Sequence, residues 1–155
     1  MGERQIVEML SPRECRSYLA TAGVGRVAVT VGALPAIHTV SFLLHQGRLL
    51  FRMAQRSPLR HAVAGSVVAF SADNFGEGRQ EGWSVLVRGV GEEVTDELAA
   101  ERMRALPLRS HSDAPDRDCF LCLPLTQVSG SRVHWPLAVE GASASSPYGL
   151  ASRAS

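Results

Sequence analysis

Long apolar runs are what this sequence most plainly lacks, and a class of function goes with them. No stretch approaches the roughly 20 apolar residues that a membrane-spanning helix needs, so no membrane partner is expected. The opening MGERQIVEML has none of the basic-then-apolar order of a secretory leader, which makes a cytoplasmic location the expectation. Charge imbalance is missing too. Sixteen Lys+Arg face 15 Asp+Glu for a formal net charge of +1, whereas nucleic-acid binders carry a basic excess or stripe; nucleic acid is not an expected partner. Cysteine is scarce. Cys15, Cys119 and Cys122 are an odd number for a disulfide framework and suit a reducing compartment. Cys119 and Cys122 spell C-x-x-C, but CFLCLPL reads as a strand, which sends residues three apart to opposite faces. No second cysteine pair or spaced histidine pair completes a zinc set, and no metal is expected.

What is present fits one globular domain: 155 residues, 45% hydrophobic and 20% charged, long enough to bury a core without covalent staples. Ser11, Pro12 and Glu14 form an S-x-x-E capping box with proline at the first helical position, predicting a helix to about Ala22. GRVAVTV alternates as a half-buried strand. A turn at Gly32 to Pro35 leads to a second strand over Ala36 to Leu44, and Gln46-Gly47 is placed to turn it into a third, RLLFRM. Ser57-Pro58 repeats the cap-then-proline signature, so SPLRHAVAG predicts a short helix ended by Gly65. SVVAFSAD is a fourth strand. After the polar loop NFGEGRQEG, GWSVLVRGVGEEV is a long fifth, with small residues where it could bend. Thr95 or Asp96 caps a helix over DELAAERMRAL, whose Leu98, Met103 and Leu106 mark an apolar side. Residues 107–118 are polar and turn-rich, and CFLCLPLTQVSG with SRVHW supplies one or two last strands. The expected domain is 1–136, and the Ala/Ser/Gly-rich 137–155 is expected to be disordered. Six strands with inserted helices predict a mainly β, six-stranded antiparallel split barrel with flanking helices.

One stretch concentrates positive charge. FRMAQRSPLRHAV sets Arg52, Arg56 and Arg60 around Ser57-Pro58. A helix starting there would offer backbone N–H groups and a positive dipole end to a phosphate at Ser57 to Leu59, with Arg52 adding a forked contact; the alternative is a solvated rim of arginines. At a strand end, Arg52 is expected to be partly exposed and to matter little for folding. Trp83 follows the Gly-rich loop and could lie against a flat ring or anchor the core. His38, His45, His61, His111 and His134 are scattered; His111, in a polar loop, reads as solvated, with reach to a neighbouring site as the alternative.

The order GRVAVTV, ALPAIHTVSFLL, GRLLFRMAQRSPLRHA and VVAFSADNFGEGRQEGWSVLVRGVGEEVTD resembles the pyridoxamine 5′-phosphate oxidase-like proteins, the flavin-binding split barrels, from about Leu10 to Trp135. The resemblance implies a homodimer binding FMN, or in some relatives a deazaflavin or FAD, between subunits. It places the cofactor against Val40, Ser41, Arg52, Met53, Arg56, Ser57, Pro58, Leu59, Arg60, Trp83 and Ser84. Two positions differ from the pattern. Pro58 stands where relatives commonly carry lysine, and Thr39-Val40-Ser41 stands where they often carry Pro-Val-Asn. The function implied is an FMN-dependent oxidoreductase acting on a small substrate. The alternatives are a flavin, deazaflavin or haem carrier without turnover, and a barrel that has lost its cofactor. Pyridoxamine phosphate itself is disfavoured as substrate, because Arg102, Arg104 and Arg109 read as an exposed helix face and not as a second phosphate cluster.

Overall fold

Ser11 opens the first helix by satisfying donors that no helical carbonyl can reach. Its Oγ accepts the Glu14 N–H at 3.3 Å while the Glu14 carboxylate accepts the Ser11 N–H at 2.8 Å, the reciprocal box read from the sequence. The computed structural model describes residues 4–76, 78–109 and 118–136; His111 and the tail from 137 lie outside them. Helix α1 spans Pro12–Thr21, α2 Pro58–Val63 and α3 Glu97–Arg104. On α3 the buried side is Ala100, with Met103 and Leu106 packed beside it, whereas Leu98 is 64% exposed. The expected stripe is therefore corrected at its start, where Ala100 takes the place of Leu98. Among the described residues, no helix is long and apolar enough to cross a membrane.

The strands are β1 (Ile6–Met9), β2 (Val24–Val31), β3 (Leu34–His45), β4 (Arg48–Ala54), β5 (Val67–Asn74), β6 (Glu81–Val90), β7 (Glu92–Glu93), β8 (Asp118–Pro124) and β9 (Gln127–His134). They make one antiparallel sheet in the order β1-β9-β6-β5-β2-β3-β4-β8-β7. The mainly β class stands, but there are nine strands and not six. The additions have physical reasons. β1 is exposed along its whole length and shows no alternation, β7 is only two residues long, and the turn after Pro124 separates β8 from β9. The β2–β3 and β3–β4 connections are tight hairpins, with both central residues at positive φ: Gly32 and Ala33 at 55° and 65°, Gln46 and Gly47 at 49° and 73°.

Strands β6 and β7 are one run of chain interrupted by Gly91. β6 pairs with β5 and β9, while β7 pairs with β8 at the far edge of the sheet, so the sheet curls back on itself. The bend needs glycine: a Cβ at Gly91 would sit 2.5 Å from the Val63 carbonyl oxygen. Its N–H donates to Ser66 O at 2.9 Å, and its carbonyl accepts from Gly65 N–H at 2.8 Å. Inside the curl lies the main core, built on Phe42, Phe51, Phe70, Leu49, Val85, Val87 and Leu121. A second apolar cluster of Leu50, Phe120, Cys122, Ala100 and Leu108 includes α3. Cys119 belongs to the first cluster and Cys122 to the second, the opposite-face arrangement that strand alternation predicts.

Candidate functional site

Where β3 and β4 meet the start of α2, a cleft of about 250 Å³ opens. His38, Thr39 and Val40 from β3, Arg52, Met53 and Ala54 from β4, and Ser57, Pro58 and Leu59 line it. Six of the residues expected at the site thus come together: Val40, Arg52, Met53, Ser57, Pro58 and Leu59. The others do not join them. Ser41 is 9% exposed and lines a different hollow, of about 640 Å³, with Gly23, Phe42 and Leu108. Trp83 is 7% exposed and packs in the main core, its ring 5.0 Å from that of Tyr18 at 32°, the anchoring alternative. Ser84 lies on β6 opposite Asp73 and Ser131.

The arginines are spent differently from one another. Arg60 turns away to Glu93, with Nη2 at 2.6 Å and Nε at 2.9 Å from Oε1, and Nη1 donates to Gln55 O at 3.1 Å. The hydrogen bonds to Glu93 raise its pKa above the ordinary arginine value. Arg56 is exposed in the turn and forms no ion pair among the described residues. Arg52 is the cation that lines the cleft. Its Nε donates to Oδ2 of Asp118 at 2.7 Å, and the two side chains are 15% and 0% exposed. Its guanidinium carbon also lies 5.8 Å from the Phe120 ring centre. Arg52 is therefore partly exposed, as expected, but it is the partner of a fully enclosed carboxylate, which corrects the expectation of little structural weight.

The backbone at the turn is committed as well. Pro58 has no N–H, the Leu59 N–H donates to Ser57 Oγ at 3.3 Å, and the Arg60 N–H to Ser57 O at 3.1 Å. A phosphate at this turn would have to take the Leu59 donor from the serine that caps it. Sequence reasoning missed two of the side chains that matter here. Asp118 reads as the end of a polar loop, and only the β4–β8 register, pairing Arg52 with Phe120 and Ala54 with Asp118, brings it to Arg52. His38 lies two residues from Val40 on β3, a spacing that puts both on one face and is the signal in the sequence for its place in the cleft. Cys119 behind Ala54 is no nucleophile at rest, since burial raises its thiol pKa above the ordinary value.

The model of the pyridoxamine 5′-phosphate oxidase family matches residues 11–132, from the cap of α1 into β9. The chain belongs to that family. The uncharacterized protein Rv0080 of Mycobacterium tuberculosis is 39% identical over 108 residues, 66% of this chain and 70% of that one. Among solved structures, the FAD-binding protein of Mycobacterium smegmatis is 32% identical with a TM-score of 0.67, covering 82% of this chain and 98% of its own. A FAD-binding protein of Mesorhizobium loti is 23% identical with a TM-score of 0.68, covering 84% and 98%, a likeness of fold.

Proposed function

We propose that the protein binds a flavin nucleotide in the cleft between β3, β4 and α2 and serves as a flavin-dependent oxidoreductase for a small substrate. The observation that carries this is the convergence of Val40, Arg52, Met53, Ser57, Pro58 and Leu59 on one cleft, in a chain 32% identical to a FAD-binding protein. The residues present suit the unlike parts of such a ligand. Val40, Met53, Pro58 and Leu59 give an apolar wall for a planar ring, Thr39 and His38 carry polar groups able to meet its heteroatom edge, and Arg52 supplies the cation for its anionic arm. When bound, a flavin supplies the hydride chemistry, so that no side chain of this chain need be a catalytic acid or base. The protein's part is to orient the ligand and keep water from one face of it.

At about 250 Å³ the cleft is smaller than the roughly 300 to 1,000 Å³ of ordinary small-molecule sites, which supports a half-site completed by a second copy of the chain. Val31, Leu34 and Ile37, 52%, 71% and 72% exposed, offer apolar surface on the β2–β3 hairpin next to His38 and Thr39. Titrating the purified chain with FMN, FAD and riboflavin should quench flavin fluorescence at one flavin per chain, and light scattering should give a dimer. Saturating flavin without any spectral change would overturn the reading. Deazaflavin and haem run alongside separate the carrier alternatives.

A further inference from the structure

The charge that Arg52 presents to a ligand is that of an ion pair and not that of a lone cation. Asp118 is enclosed: its side chain has 0% exposure, Oδ2 accepts a hydrogen bond from Arg52 Nε–H at 2.7 Å, and Oδ1 is buried with no hydrogen-bond partner among the described residues. A carboxylate so placed depends on the arginine beside it as its compensating charge. Compensation inside the cleft is small, Arg56 standing exposed in the turn outside its lining. Arg60 is bound to Glu93, the backbone donors of the turn are committed within it, and Pro58 adds neither a charge nor an N–H. A terminal phosphate monoester carries about −1.5 to −2 at pH 7, its second pKa lying near 6. Each phosphorus of a diester or pyrophosphate linkage carries a single negative charge.

Resting on the flavin reading, we infer that Asp118 is a specificity-determining residue which, through Arg52, makes the cleft select a flavin whose phosphate is esterified on both sides, as in FAD, over the monoester FMN. Asp118 acts on the ligand's charge density. It holds the guanidinium through Nε and cancels most of the field that a doubly charged oxygen cluster would need.

The test titrates the full chain and its Asp118→Asn variant with FAD, FMN and riboflavin at pH 7.5 and 5.5. In the wild type at pH 7.5, FAD should bind about tenfold more tightly than FMN or better, the scale of one charged hydrogen bond. Contacts to the adenosine alone could also favour FAD, so the second arm is decisive: the ratio should narrow at pH 5.5, where the monoester regains its proton. His38 on β3, Arg56 in the turn, Arg60 on α2, Glu93 on β7, Glu97 and Arg104 on α3, and Asp118 and Cys119 on β8 are the titratable and charged groups around the pair. A charge gained at His38 would also act more on the monoester, so the pH comparison is repeated in His38→Gln, where the ratio should narrow by the same factor. Asp118→Asn should tighten FMN about tenfold, FAD less, and riboflavin not at all. FMN binding as tightly as FAD at pH 7.5, a ratio indifferent to pH, or a variant that shifts riboflavin as much as FMN would each overturn the inference while leaving flavin binding intact. Should the variant fail to fold, the wild-type ratio at the two pH values decides. Failure of all three flavins to bind removes the flavin reading and this inference together.

Discussion

The molecule uses the same parts list in two places, near α1 and near α2, and burial makes the difference. Each place has a helix begun by Ser-Pro and an arginine paired with a carboxylate from a neighbouring strand. Near α1, Ser11 and Glu14 close a reciprocal box, and Arg132 binds Glu8 in the open, with side chains 30% and 46% exposed. Near α2, the third helical residue is Arg60 and not a glutamate, no acid covers the helix start, and Arg52 binds an Asp118 that water does not reach. In the first place the polar groups satisfy one another and are finished. In the second, a cleft opens beside an arginine whose partner keeps a bare, buried oxygen. Solvated pairs contribute little to folding, whereas a buried pair is costly to form and costlier to break on one side. Among the described residues, the α2 region therefore holds a buried polar atom without a partner, and the α1 region holds none.

The largest effect that would break this comparison is removal of each arginine. Arg52→Ala should lower the unfolding free energy by about 3 to 5 kcal/mol, because it strands Asp118 as an uncompensated charge. Arg132→Ala should change stability little, its partner Glu8 being solvated. Urea unfolding with unchanged slopes measures both. Equal losses for the two variants would mean that burial does not separate the regions. Loss of flavin binding in Arg52→Ala must accordingly be read on the folded fraction alone.

Local features were legible in the sequence and the decisive non-local one was not. The α1 box rests on residues three apart, the hairpin turns on adjacent residues, and the split of Cys119 from Cys122 on strand alternation; each can be read without knowing the fold. The bend at Gly91 was legible as a small residue, but not the carbonyl of Val63 that demands it. β1 escaped notice because IVEM buries none of its side chains and is held by backbone pairing to β9 alone along its register. Asp118 is 66 residues from Arg52, and nothing in RDCFLC marks its carboxylate as enclosed. Six of the nine residues lining the cleft thus lie in FRMAQRSPLRHAV, while the residue that sets its charge does not.

A smaller effect sharpens the comparison at the two caps. Ser11→Ala removes two hydrogen bonds, the one from the hydroxyl to the Glu14 carboxylate and the one from the Glu14 N–H to Oγ, leaves the Ser11 N–H on that carboxylate, and should cost about 1 kcal/mol. Ser57→Ala removes one 3.3 Å bond to Leu59 N–H in a six-residue helix and should cost about 0.5 kcal/mol, the low end for such caps. Only Ser57→Ala should alter flavin binding, because Ser57 lines the cleft and Ser11 does not. A change in flavin affinity with Ser11→Ala, or none with Ser57→Ala, would detach the cap from the site.

The smallest effect concerns acid, and it belongs to the α1 region. Hydrogen bonds from Arg132, then its charge, hold the Glu8 carboxyl below the ordinary 4.5, and hydrogen bonds from the Ser11 backbone and hydroxyl do the same for Glu14. Both groups bind protons less readily folded than unfolded. The stability they contribute is therefore fully present above 4.5 and is lost as the pH falls through their lower folded values. Because both are solvent-exposed the loss should be modest, and it should shrink further in salt. Glu14→Gln keeps the shape and removes the titration, so its deficit relative to the wild type should be visible at neutral pH and fade as the pH falls from about 5 toward 3. Thermal melts of both proteins across that range measure the difference directly. A deficit that stays constant would assign Glu14 a role in packing alone, and the two regions would then differ in burial but not in how their acids answer to protons.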